Sequence, residues 1–142
     1  MNSFLITNTK FYKMKKILFY ISGILTLLWG IAHLFPTAGI VRGFGDISPD
    51  NKLIITMEWL VEGFTLIFLG ILTLIVTKTE TRSKLAKNVF ILITGMLFSM
   101  AVLSVFTGFR VGFLPFKLCP VIFSLSAILI IAGMTSKLKT RN

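Results

Sequence analysis

The chain is short of several things that soluble enzymes and secreted domains rely on. It has one cysteine, Cys119, so it holds no internal disulfide and no CxxC pair. It has one histidine, His33, so it offers no paired imidazoles for haem. Only 5 of its 142 residues are Asp or Glu, against 15 Lys or Arg. No Gly-rich phosphate loop, no HExxH and no GxSxG is present. Nucleotide-handling, zinc-protease and serine-hydrolase chemistries of the usual kinds are therefore excluded. Proline is scarce too: Pro36 and Pro49 bracket a loop, and Pro115 and Pro120 blur the start of the last apolar run.

What is abundant is hydrocarbon. Hydrophobic residues make up 55% of the chain and the mean hydropathy is +0.89. Average globular domains are roughly 45–50% apolar on a count that also includes Gly. Four apolar runs are long enough to cross a bilayer, which takes about 20 helical residues each. The expected fold is all-α, an integral membrane four-helix bundle forming one domain over residues 17–136. Its spans are expected at approximately 17–35, 49–76, 88–108 and 116–136, with a basic tail over 1–16 and a short tail over 137–142. The tail before the first run is expected to fray, as termini do unless tied down. The first run exceeds the h-region of a signal peptide and lacks a clear cleavage site, so it is expected to be retained. Met14 is an alternative start.

The formal net charge of +10 invites a nucleic-acid partner, but its distribution opposes one. Lys10, Lys13, Lys15 and Lys16 precede the first run; Lys78, Arg82, Lys84 and Lys87 lie between the second and third; Lys137, Lys139 and Arg141 follow the fourth. Those eleven fall on one side, and only Arg42, Lys52, Arg110 and Lys117 fall on the other. This is the positive-inside pattern, which expects both termini in the cytoplasm; a bacterial cytoplasmic (inner) membrane is the expected location. The partner of the basic turns is then the anionic lipid bilayer, with no nucleic acid.

Against this background Glu58 and Glu62 stand out. They lie in the second run, four residues apart, and so share a helix face with Thr65 and Thr73. A carboxylate in hydrocarbon costs several kcal/mol unless it is protonated or paired. Counting from Leu53 at 1.5 Å per residue, Glu58 is roughly 7 Å deep and Glu62 roughly 13 Å. The helix start is well signalled: Ser48 can cap, Pro49 suits the first helical position, and Asp50 favours the positive end. Gly63 and Gly70, seven apart, allow a neighbouring helix to come close.

In the first run Ser22, Thr26, Trp29 and His33 form one stripe. Trp29 alone would read as an interfacial belt residue, and His33 as a helix-end residue at headgroup level. Residues 36–49 are rich in breakers yet carry Ile40, Val41, Phe44 and Ile47, which suits a segment folded back over the bundle mouth. In the third run Gly95 and Ser99 are a small-xxx-small pair, for which packing is the expected role. In the fourth, Cys119, Phe123, Ser126, Ile130 and Gly133 share a face.

Helices one and two, antiparallel and joined by a short loop, should be neighbours. That gathers His33, Trp29, Glu58, Trp59, Glu62 and Thr65 in the outer half of the bundle, with Arg110 at its mouth. Four uses fit such a set. A His–Glu pair can move a proton on a lipophilic substrate. His33, Glu58 and Glu62 with Cys119 as a fourth donor can ligate a metal, but one His and one Cys from separate helices are a thin basis, and no metal is assigned. The cluster can bind a lipophilic ligand without chemistry, a quinone being one candidate cofactor. Or the acids pair with His33 and Arg110 to fix helix register.

Gly30-Ile31-Ala32-His33-Leu34, then Glu62-Gly63, Leu69-Gly70 and a basic turn with Arg82 resemble the DoxX-like family of small four-helix membrane proteins. The likeness covers about half the chain. Where that pattern often has a basic residue near the end of its first helix, this chain has His33; Glu62 is the position that carries over, and Glu58 is additional. The resemblance implies a four-helix bundle and an association with quinone-linked redox complexes. In layout the chain is also similar to bundles of the sterol-isomerase and sigma-2 receptor type, which place acids in a membrane cavity. The leading expectation is a lipophilic-ligand pocket with Glu62, Glu58 and His33 as its polar end and no assigned catalytic residue. The alternatives are a non-catalytic subunit, paired internally or with a partner membrane protein, and a proton-coupled transporter acting as a homo-oligomer.

Overall fold

The computed structural model describes residues 2–79, 81–108, 112 and 114–136, with side chains from residue 13 onward. Its helices are α1 (Asn2–Leu34), α2 (Thr37–Gly43), α3 (Pro49–Thr79), α4 (Lys84–Thr107) and α5 (Leu114–Thr135). The described residues contain no strand. Four stretches are long and apolar enough to span a membrane: Lys13–Leu34, Pro49–Thr79, Lys84–Thr107 and Leu114–Thr135. The chain is an all-α integral membrane protein of four spans, as its sequence leads one to expect.

Two expectations need correction. The stretch expected as a basic tail is helical, α1 running back to Asn2, with the membrane-length span beginning at Lys13. Nothing in that stretch breaks a helix: it has no proline or glycine before Gly23. The loop after α1 is also partly helical, α2 occupying Thr37–Gly43 and packing on α3. Elsewhere the local signals hold. Asn51 donates its backbone N–H to Ser48 Oγ at 3.2 Å, so Ser48 caps α3 and Pro49 opens it. Ser83 caps α4, accepting from the Ala86 N–H at 3.0 Å. Helix α5 opens at Leu114 and carries Pro120 inside it, where the missing N–H leaves the preceding turn one bond short.

Lipid tails are as apolar as leucine, so these helices gain little by hiding from solvent and associate through close packing. The tightest contact is α1 on α3. A Cβ at Gly30 would lie 2.7 Å from the Ile67 amide nitrogen, and one at Gly70 would lie 2.6 Å from that of Leu27. Only glycine lets the two backbones approach this far. Helix α1 then packs on α5, where the Ser22 hydroxyl donates to the Ser126 carbonyl at 2.9 Å, both residues fully buried. Between α4 and α5, Phe19 lies over Gly133 and stacks on Phe90 with centroids 4.2 Å apart.

The helices therefore follow the order α3, α1, α5, α4 around the bundle. Helices α3 and α4 are consecutive in the chain yet touch little. The Gly95–Ser99 pair does not fill that seam: both residues are exposed, and a Cβ at Gly95 would meet nothing. The packing role expected of this pair is not observed, because α4 turns the opposite face, Phe90, Ile93, Leu97 and Ala101, into the core.

Candidate functional site

Where α3 and α4 part, a cavity of about 520 Å³ opens toward the α2 end of the bundle. Helix α3 contributes Glu58, Trp59, Glu62 and Thr65 to its wall. Helix α4 contributes Met96, Met100, Leu103, Ser104 and Thr107, and Phe44 and Phe116 also line it. The α4 wall was not foreseen from sequence, although its residues recur at helical spacing and include the two adaptable methionines. Phe44 fits the expectation that the apolar segment after α1 folds back over the mouth.

Behind Trp59 and Glu62, the two cluster residues that line the cavity, a polar cluster forms where α1, α3 and α5 meet. His33 lies in the last turn of α1 and is only 5% exposed. Its ring stacks on Trp59 with centroids 3.9 Å apart and planes 15° apart. The same indole donates its Nε1–H to the His33 carbonyl at 2.8 Å. Carbonyls in the last turn of a helix have no partner within it, so this bond caps α1. The Leu34 carbonyl is capped in a similar way by the Thr37 hydroxyl at 2.6 Å. Phe116 of α5 meets Trp59 edge-on at 5.3 Å and holds the indole from the other side.

Glu62 reaches His33 from α3, with Oε2 3.6 Å from Nε2. That distance is too long for a hydrogen bond, and the contact is an ion pair only when His33 is protonated. Indeed His33 Nε2 is buried with no hydrogen-bond partner, and so is Trp29 Nε1. An unsatisfied buried polar group costs about 1–3 kcal/mol, so two together are a notable debit for a small bundle. Cys119 of α5 closes the cluster. One donor atom each from His33, Glu62 and Cys119 lie within 4.8 Å of one another. Trp29 lies against the Cys119 thiol without meeting ordinary hydrogen-bond geometry.

The residues singled out from sequence thus divide. His33, Trp29, Trp59 and Glu62 converge. Of the stripe Ser22, Thr26, Trp29 and His33, Trp29 is half-buried and the other three are buried. Glu58 does not join the cluster: it is exposed, lines the cavity and pairs with no cation among the described residues. It lies one turn nearer the helix end than Glu62, where α1 is already ending, so His33 meets Glu62 instead. Thr65 lines the cavity but returns its hydroxyl proton to the Val61 carbonyl at 2.7 Å. Arg110 lies outside the described residues, as do Lys137, Lys139 and Arg141 of the charge pattern.

A second cavity, of about 270 Å³, lies at the opposite end beside the α3–α4 turn. Lys15, Arg82 and Lys87 ring it, over a floor of Phe19 and Phe90. No protein-family model, no curated protein sequence and no solved structure matches the chain, so its function has to be argued from these two sites.

Proposed function

We propose that this membrane protein binds a lipophilic small molecule in the α3–α4 groove, with Glu62, His33 and the exposed Glu58 as the polar end of the pocket. One observation carries this reading: a half-buried carboxylate, Glu62, lines an otherwise mainly apolar groove, and the His33 Nε2 beside it is buried without a hydrogen-bond partner, as is Trp29 Nε1. A ligand with an apolar body and a polar head supplies what both parts are missing. A quinone has that shape, and the DoxX-like resemblance points the same way. With the positive-inside orientation, the groove faces the outer half of a bacterial cytoplasmic membrane. Binding without chemistry is sufficient for this site, and no catalytic residue is assigned.

The test is thermal stability of the purified chain with and without decylubiquinone and a panel of lipophilic amines. Glu62→Gln keeps the shape of the side chain and removes its charge. The expected variant is as stable as the native chain but is no longer stabilised by the ligand. If every probe stabilises native and variant proteins alike, the pocket does not use Glu62 and the proposal fails.

A second reading has a specific observation behind it. The His33–Glu62 contact at 3.6 Å fits a pair that fixes the register of α1 on α3 in a non-catalytic subunit. Under that reading Glu62→Gln changes stability itself, in the absence of any ligand.

A further inference from the structure

The chain contains one histidine and one cysteine, and the fold brings them together. They come from α1 and α5, helices at opposite ends of the sequence, and meet Glu62 of α3 between them. The three donor atoms lie within 4.8 Å of one another. We infer that His33, Glu62 and Cys119 form a metal site that takes a divalent ion of zinc type. The sequence raises this set with Glu58 as a further donor; in the structure Glu58 is exposed and is not part of it.

Three arguments support the site. The first is geometric. Zinc sits about 2.3 Å from sulfur and about 2.0–2.2 Å from imidazole nitrogen or carboxylate oxygen, which puts tetrahedral ligands roughly 3.3–3.8 Å apart. His33 Nε2 and Glu62 Oε2 are already 3.6 Å apart. Bringing the remaining donor in requires at most about 1.5 Å of adjustment, and Glu62 is half-buried beside the open groove, where its side chain has room to turn.

The second argument is electrostatic. A zinc ion carries +2, the Cys119 thiolate and Glu62 carboxylate carry −1 each, and neutral His33 adds nothing, so the loaded site has no net charge. An ionised carboxylate alone in a bilayer is costly. Binding releases the thiol proton to water, together with the carboxyl proton where one is held, and forms Zn–S and Zn–O bonds in their place. The third argument is the unpartnered nitrogen. His33 Nε2 is buried, lacks a hydrogen bond and faces Glu62, as a ligand nitrogen held ready would be. Trp29 Nε1, beside Cys119, is then placed to donate to the metal-bound thiolate, a role that outer partners fill in metal sites. Three protein ligands leave one position, and Glu62 is the ligand that also lines the groove, so that position opens to whatever the groove holds.

The inference stands apart from the lipophilic ligand, because metal binding is read without any organic probe. The untagged full chain in lipid nanodiscs is titrated with Co(II) as a coloured substitute for Zn(II). The expected result is one ion per chain, with visible bands of a four-coordinate site and a thiolate-to-cobalt charge-transfer band, all bleached by Zn(II). Since Cys119 is the only sulfur that can be a thiolate, the charge-transfer band assigns it directly. Glu62→Gln and Cys119→Ser should each weaken Zn(II) binding by about 100-fold or more, a ligand being worth at least as much as the outer partners that cost 10–100-fold. Absence of the charge-transfer band in the native chain overturns the proposal whether or not the variants fold. So does a band that survives unchanged in Glu62→Gln. Loss of cobalt binding with retained decylubiquinone binding would remove the metal and leave the pocket.

Discussion

Replacing Gly30 by alanine should damage this bundle more than its one added methyl suggests. The new Cβ would lie 2.7 Å from the Ile67 amide nitrogen, 2.8 Å from Leu66 Cβ and 3.0 Å from the Gly63 carbonyl oxygen. Two of those three atoms are backbone and cannot turn aside. Ordinary contact begins near 3.4 Å, so α1 must move about 0.7 Å away from α3. A gap of 0.5–1 Å forfeits roughly a quarter to a half of each contact's attraction along the seam. Overpacking of this kind costs about 1–3 kcal/mol, and the rigid neighbours place Gly30→Ala in the upper half of that range. Alanine's better helix propensity returns up to about 1 kcal/mol. The net loss is then about 1–2 kcal/mol. Gly95→Ala is the internal control, because its Cβ would meet nothing and only the propensity gain remains. Reversible unfolding in mixed micelles, or steric trapping in bicelles, compares the two against the native chain. If Gly30→Ala is as stable as Gly95→Ala, the α1–α3 backbones are not in contact and the order of helices described above is wrong.

Trp59→Phe should keep the ring stacked on His33 but leave the His33 carbonyl without its 2.8 Å bond, at a cost of about 1 kcal/mol in the same unfolding assay. An unchanged stability would mean that this carbonyl finds another donor. At the other end, Lys15→Ala with Lys87→Ala should reduce the preference for anionic over zwitterionic lipid. At about 1 kcal/mol per charge, the pair is worth roughly 30-fold, read by native mass spectrometry of lipid-bound protein. An unaltered lipid profile would show that the basic cavity does not hold a headgroup.

Much of the fold is legible in the sequence because it depends on short-range chemistry. The four apolar runs, the Ser48-Pro49 helix start and the stripe Ser22, Thr26, Trp29 and His33 all follow from residue type and period. The α1–α3 pairing follows from a short connection. What lies beyond reach depends on how each helix is rotated. Glu58 and Glu62 share a face, yet one is exposed and the other is half-buried, because α1 ends near their level. Gly95 and Ser99 look like an interface and are not one, since α4 offers its aromatic and aliphatic face to α5 instead. Cys119 meets His33 only because α5 packs beside α1, a contact between the two ends of the chain that local pattern does not encode.

The thin seam between α3 and α4 decides how any occupant arrives. Its walls carry Val61 and Leu103, both more than half exposed at the level where acyl chains would lie. Under the lipophilic-ligand proposal, a guest would enter sideways from the membrane after dissolving in it, with the aqueous phase only a reservoir. Potency measured against total concentration would then rise with membrane partitioning before any contact in the groove is counted. Each added methylene contributes about 0.8 kcal/mol to that partitioning, or roughly fourfold in apparent affinity. Ranking candidate ligands for this protein means expressing their concentrations per mole of lipid, so that a greasy compound is not mistaken for a specific one.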